Sequence, residues 1–197
     1  MKILAVNAGS SSLKFQLYEM PEEKVLISGL MERIGIGNSF YTIKINGEKI
    51  KKEVELNNHA EAFEALVDEL KINNVANSLE EIKGIGHRIV QGGDYFDKTV
   101  VIDEDVLNKI DELSSLAPLH NPAAIVGIKA AKKVFPNALQ TVVFDTAFHQ
   151  TIKEENFLYA LPIKWYTDLK VRRYGAHGTS HKFVSQRMNE ILGRTDT

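Results

Sequence analysis

The stretch KILAVNAGSSSLKFQLYEM, Lys2–Met20, sets two strand patterns around one polar corner. KILAVN is a short apolar run that stops at Asn7, which suits a buried strand better than a helix. After the corner the pattern alternates strictly: Leu13, Phe15 and Leu17 face one way, and Lys14, Gln16 and Tyr18 the other. The two runs therefore read as a hairpin. The corner itself, NAGSSS, has two readings. Gly, Ser and Asn are ordinary turn formers. The same residues also suit an anion cradle, with Gly9 admitting close backbone approach and hydroxyl and N–H groups facing phosphate oxygens. The corner matches neither Gly-Lys-Ser/Thr nor G-x-G-x-x-G. Lys14 is a surface lysine on the first reading and a phosphate partner on the second.

The rest of the chain fits around this hairpin. KVLISGL, 24–30, is a third strand, and FYTIKINGEKIKKEVEL, 40–56, places Asn46-Gly47 between alternating segments, a strong hairpin signal. From Ala60 the period changes: Ala60, Phe63, Leu66, Val67 and Leu70 share one helix face, with Asn57 or Asn58 as cap. IKGIGHRIV, 82–90, is a strand carrying His87 and Arg88 near its end. Helices are expected over 103–116, capped by Asp103, and over 122–135, with Asn121 as cap and Pro122 in the first turn. LQTVVFDTAFHQ contributes a buried strand ending on Asp145. In the tail, Phe183, Val184, Met188, Ile191 and Leu192 stripe a helix that starts with Thr179 or Ser180 as cap and stops at Gly193. This order predicts an α/β domain with a mixed sheet.

Composition narrows the function classes. The 197 residues carry 24 Lys plus Arg against 26 Asp plus Glu, so a formal charge of −2 offers no field to draw in nucleic acid or an anionic membrane. With no cysteine, thiol nucleophiles, disulfides and thiolate metal sites are excluded. The apolar run before Asn7 is too short for a signal peptide, and nothing later reads as a membrane span, so a cytoplasmic location is expected.

In an open α/β sheet, ligands gather beyond the carboxyl ends of the strands. Asn7, Ser10 to Ser12, His87, Arg88, Asp145 and His177 all fall at such ends. Arg88 reads as a surface ion pair or as a planar clamp for a carboxylate or phosphoryl group. Asp145 needs a partner or a cation if buried, and either caps a turn or ligates Mg2+ through water. His177 and His181 are four apart, but the intervening GTS reads as a helix start, so they need not share a face. His59 reads as a solvated helix-entry residue, and His120, between Pro118 and Pro122, sits on a rigid loop.

Six blocks, NAGSSSLKF, GHRIVQGG, LAPLHNPAAI, VVFDTAFHQT, YALP and RRYGAHGTSHKFV, occur here in the order found in acetate kinases, and the chain resembles that family along nearly its whole length. The resemblance implies a ribonuclease H-like lobe of the sugar-kinase/Hsp70/actin superfamily: a mixed five-stranded sheet with flanking helices and an inserted β-hairpin. It also implies reversible transfer of the γ-phosphoryl group of Mg-ATP to acetate, giving acetyl phosphate and ADP. On this resemblance Asn7 would help hold Mg2+, and Ser10, Ser12 and Lys14 would line the ATP phosphate path. Arg88 would bind the carboxylate or the moving phosphoryl, Val90 and Leu119 would wall a small methyl pocket, and His120 would lie nearby. Asp145 would be the catalytic Asp and His177 the transition-state stabiliser.

The chain departs from the family pattern in two positions and in length. Ala176 stands where the family usually has an aromatic residue, which implies a wider pocket reaching propionate or butyrate, and Gln91 stands where a His is usual. Family members are about twice as long. On the resemblance, residues 1–197 are therefore an N-terminal lobe, with a nucleotide-binding C-terminal lobe elsewhere and a homodimer expected at full length.

Overall fold

The computed structural model describes residues 1–195. One eight-stranded sheet runs in the order β5-β4-β3-β2-β1-β6-β8-β7. Its strands are β1 (Lys2–Gly9), β2 (Ser12–Glu19), β3 (Lys24–Glu32), β4 (Phe40–Ile45), β5 (Glu48–Glu53), β6 (Ile82–Ile89), β7 (Val100–Val101) and β8 (Leu139–Phe144). The five strands implied by the resemblance, β3-β2-β1-β6-β8, are its middle. The hairpin β4–β5 continues the same sheet because β4 pairs along β3, and the two-residue β7 closes the far edge on β8. Asn46 and Gly47, at φ 50° and 84°, take the left-handed conformations a two-residue hairpin needs.

Strands β1, β6 and β8 run parallel, while β2 to β5 alternate antiparallel. The carboxyl ends of the three parallel strands therefore meet along one rim. In β1 and β2, Asn7 stands opposite Lys14 and Gly9 opposite Ser12, so only Ser10 and Ser11 lie in the turn. The alternation in β2 follows its burial: Leu13, Phe15 and Leu17 are buried, and Lys14 is exposed.

The helices α1 (His59–Ile72), α2 (Glu104–Glu112) and α3 (Asn121–Val134) supply the layer that covers the apolar face. Leu4, Leu13, Leu17, Phe63, Leu66 and Phe135 centre one cluster. Ile89, Ile110, Ile128, Val142 and Phe144 centre the second, where Phe96 stacks on Phe144 at 4.2 Å. Truncating a leucine such as Leu13, fully buried here, costs about 2–5 kcal/mol. Glu69 on α1 is buried yet satisfied: Tyr41 Oη and Lys52 Nζ donate to its Oε1 at 2.6 and 2.5 Å, and Asn73 Nδ2 donates to Oε2. These bonds tie the β4–β5 hairpin to the helix layer. Burial alone would raise the Glu69 carboxyl, but the three donors outweigh it and lower it.

Helix starts correct the expected caps. Asn58 caps α1 by accepting from the Glu61 amide, as expected. For α3 the cap position is His120, with no side-chain bond, and Asn121 is already the first helical residue. Beyond β8 come α4 (Glu154–Phe157), α5 (Lys164–Leu169) and α6 (Gly178–Leu192). The cap position of α6 is His177, neither Thr179 nor Ser180. Its apolar stripe, Phe183, Val184, Met188, Ile191 and Leu192, is exposed, Phe183 by 67%. Among the described residues no helix is long and apolar enough to cross a membrane.

Candidate active site

Asp145, immediately after β8, is 1% exposed, and its carboxylate is fully engaged. Arg88, one residue before the end of β6, donates from Nε to Oδ1 at 3.0 Å and from its terminal nitrogen Nη2 to Oδ2 at 2.6 Å. This is the two-pronged geometry in which arginine binds carboxylates best. The bond to Asp145 holds the guanidinium charge still more firmly than usual, against the cost of burial. Strand β6 pairs with β8 in parallel register, Arg88 opposite Val143 and Ile89 opposite Phe144, and the Asp145 amide donates to the Ile89 carbonyl. Both partners are thus set by sheet geometry.

Of the five guanidinium N–H bonds, Nε–H and one on Nη2 face Asp145; both on Nη1 and the second on Nη2 have no partner among the described residues. Arg88 opens onto a cleft of about 650 Å³ on the sheet face opposite the three helices, and Asn7, Lys14, Lys44 and Lys49 line the same cleft. Of the sequence-derived candidates, Asn7, Lys14 and Arg88 are therefore brought together directly. Ser10 and Ser12 close the adjoining end of β1 and β2, one residue pair beyond the Ala8–Leu13 pair.

His177 reaches the same rim through backbone. It adopts φ 55°, ψ 26°, a left-handed position, and α6 begins at Gly178, whose amide donates to the Asp145 carbonyl at 2.7 Å. Thr179 Oγ1 donates to Asp145 Oδ1 at 3.2 Å. A Cβ on Gly178 would collide with that carbonyl and with Phe148 Cβ, so only glycine permits the approach. Val90 follows β6 and is half-buried. Leu119 is 78% exposed and His120 is exposed, so the loop that carries them does not by itself enclose a methyl pocket.

Three residues act here that sequence reasoning cast otherwise, and a fourth, His149, had no reading from the sequence. Asn121, expected as a cap, is fully buried: its Oδ1 accepts from the Gln91 amide, and its Nδ2 donates to the Gln91 and Ile110 carbonyls. It thereby pins the His120 loop beside the end of β6. His59, expected in solvent, is 6% exposed and donates from Nε2 to the Gly9 carbonyl at 2.8 Å, holding the serine corner against α1. Thr179 binds Asp145 in place of capping a helix. His149 donates from Nε2 to the Ala176 carbonyl at 3.0 Å. His87 points the other way: it is buried on the helix face, bonded to Gln140 Oε1, and burial lowers it to about 4, so it is neutral and plays no part at the rim.

No group of three or more His, Cys, Asp or Glu side chains able to hold a metal occurs among the described residues. Both Asp145 oxygens are taken by Arg88 and Thr179, which leaves the Asn7 amide oxygen as a neutral donor lining the cleft at the end of β1. One amide oxygen suits a Mg2+ carried in on substrate phosphates, not a resident protein cage.

The sequence and fold both have relatives. The acetokinase family matches residues 2–197. An acetate kinase of Geobacillus sp. (strain WCH70) is 56% identical over 193 residues, 98% of this chain and 49% of that protein. The crystal structure of a Porphyromonas gingivalis acetate kinase superposes with a TM-score of 0.94 at 45% identity, covering 98% of this chain and 49% of the other. A propionate kinase from Francisella tularensis subsp. tularensis superposes with a TM-score of 0.93 at 44% identity, covering all of this chain and 50% of the other. The chain thus spans about half the length of the relatives it matches.

Proposed function

This chain belongs to the acetokinase family, and from that premise we propose that it is the N-terminal lobe of a kinase moving the γ-phosphoryl group of Mg-ATP onto acetate, reversibly, to give acetyl phosphate and ADP. The observation that carries the reading is the Arg88–Asp145 pair, set at the ends of two parallel strands beside the Asn7, Ser10, Ser12 and Lys14 corner. Acetate is ionised at neutral pH, so its oxygen attacks without a general base. As that O–P bond forms, the bond from the γ-phosphorus to the ADP oxygen breaks, and ADP leaves with the electron pair. Catalysis then consists of alignment and charge neutralisation.

Arg88 performs both, its free N–H edge facing the carboxylate or the moving phosphoryl. Asp145 holds that edge in place; with both oxygens already accepting, it is an orienting group and not a proton donor. Lys14 and the hydroxyls of Ser10 and Ser12 meet the phosphates, and His177 adds a donor from the start of α6. Asn7 would be this lobe's contact to a Mg2+ carried in on ATP, an ion that would supply neutralisation of the phosphate charge. The adenosine side belongs to the other lobe, and the full-length protein pairs as a homodimer.

A wider carboxylate range is a second reading, favoured by Ala176, whose small side chain stands exposed beside His177, and by near-equal similarity to an acetate and a propionate kinase. A methylene in such a pocket is worth about 1–3 kcal/mol of discrimination. The test is acetyl phosphate formation, trapped as hydroxamate, by the full-length protein with acetate and propionate. Arg88→Ala should lower kcat/KM for acetate about 100-fold or more, and absence of acetate phosphorylation in the unsubstituted protein overturns the reading. Acetate selectivity no weaker than in Ala176→Phe defeats the wider range.

A further inference from the structure

We propose that His149 is the residue that positions His177, an assignment that deepens the kinase reading and takes the importance of His177 from it. The Ala176 carbonyl can only accept, so the 3.0 Å contact places the His149 proton on Nε2 and fixes the ring's tautomer. The same ring packs against Gly175, which sits at φ +78°: a Cβ there would meet the imidazole at 2.5 Å. One side chain therefore holds two consecutive residues just before His177. Its orientation is set by edge-on contacts with the rings of Phe148 and His181, at 5.5 and 5.7 Å.

The need for such a hold follows from the backbone. His177 is not glycine, yet it occupies the left-handed region, at a cost of about 1–2 kcal/mol. That conformation persists only if the chain is fixed on both sides. On the far side, Gly178 and Thr179 are bonded to Asp145. On the near side, the fixing bond comes from His149. Asp145 and His149 belong to one short segment, joined by the turn Ala147–His149, so a single loop after β8 grips His177 from before and after. The His149 ring is spent on backbone, which makes it a positioning residue and not a catalytic one.

The test uses the full-length protein and four forms: unsubstituted, His149→Ala, His149→Gln and His149→Phe. Glutamine keeps a side-chain N–H that can reach the carbonyl, and phenylalanine keeps the ring without the donor. Amide exchange in the peptide spanning 174–182 should speed up about tenfold or more in His149→Ala and His149→Phe. In the same variants kcat for acetyl phosphate should fall about 10- to 100-fold, with KM for acetate and ATP within about twofold. His149→Gln should recover most of both. Unchanged exchange in His149→Ala, or a glutamine variant no better than phenylalanine, overturns the proposal. Should the alanine variant not fold, the glutamine and phenylalanine forms decide it. If the unsubstituted protein phosphorylates no carboxylate, the kinase reading falls, while the exchange comparison still decides whether His149 positions residue 177.

Discussion

The corner Gly9–Ser12 and the corner Arg173–Thr179 end at the same rim, but they are built differently. The first is the turn of a hairpin whose strands pair along their whole length, so its course is set many times over. The second is a loop without strand partners, held by point contacts from the segment after β8: the Arg173 amide to the Phe157 carbonyl, His149 to Ala176, and Gly178 and Thr179 to Asp145. Redundant register makes a corner insensitive to any one side chain. A few point contacts make it depend on each.

Asp145→Asn should have the largest effect, because it loosens the second corner and frees Arg88 at once. Breaking a buried, two-pronged pair on one side costs about 3 kcal/mol. Urea unfolding should register that loss, and turnover should fall with its Mg2+ dependence unchanged, since the Asp145 oxygens face Arg88. A shifted Mg2+ dependence would show that Asp145 serves the metal instead.

Gly178→Ala against Gly9→Ala is the sharper comparison. At Gly178 the new methyl meets a backbone carbonyl and a Cβ, neither of which can move cheaply, and about 1–3 kcal/mol should be lost. At Gly9 it meets the Ser12 hydroxyl, the mobile end of a small side chain. That variant should stay within about 1 kcal/mol of the parent yet displace a proposed phosphate contact. Equal thermal shifts for the two would erase the distinction between the corners.

Acid tests the first corner from beneath. His87 sits opposite Val6 of β1, and its folded value of about 4 lies below the ordinary 6.5. Between those values the unfolded chain takes up a proton that the folded chain refuses. Stability is therefore fully present above about 6.5 and declines as pH falls toward 4, by no more than about 1.4 kcal/mol per pH unit for one proton. Denaturant melts at stepped pH should trace that slope, and its absence would mean that His87 is protonated in the fold. The smallest effect belongs to His59→Ala, which removes one bond to Gly9 from a corner otherwise fixed by register. About 1 kcal/mol is expected, and a loss as large as that of Asp145→Asn would show that the corner hangs on His59 after all.

The sheet was legible because its signals are local. Strict alternation in Leu13–Tyr18 and Asn46-Gly47 between β4 and β5 each announce their geometry within a few residues. Motif matches also collected Asn7, Arg88 and Asp145 at strand ends, and His177, which the structure places at the start of α6. The four supporting residues were not legible, for one physical reason. His59, Asn121 and His149 bond to backbone groups 50, 30 and 27 residues away, and a bond to a peptide group leaves no residue-type pattern at its other end. Thr179 was misread because Ser and Thr near a helix start usually cap it, whereas here the Asp145 carbonyl takes the first amide. The stripe on α6 was real as a pattern, but periodicity reports an apolar face and not what covers it.

The pairing of Gly9 with Ser12 also predicts how the protein answers changes in length. Strand faces alternate with every residue, so one residue added between Gly9 and Ser12 that shifted β2 would turn Lys14 and Gln16 under the helices and put Phe15 and Leu17 in the open cleft. A library of insertions and deletions should therefore divide the molecule differently from a library of substitutions. The turn at Ser10 and Ser11 would accept exchanges and refuse a change of one residue, while the exposed stretch 36–38 between β3 and β4 would accept both.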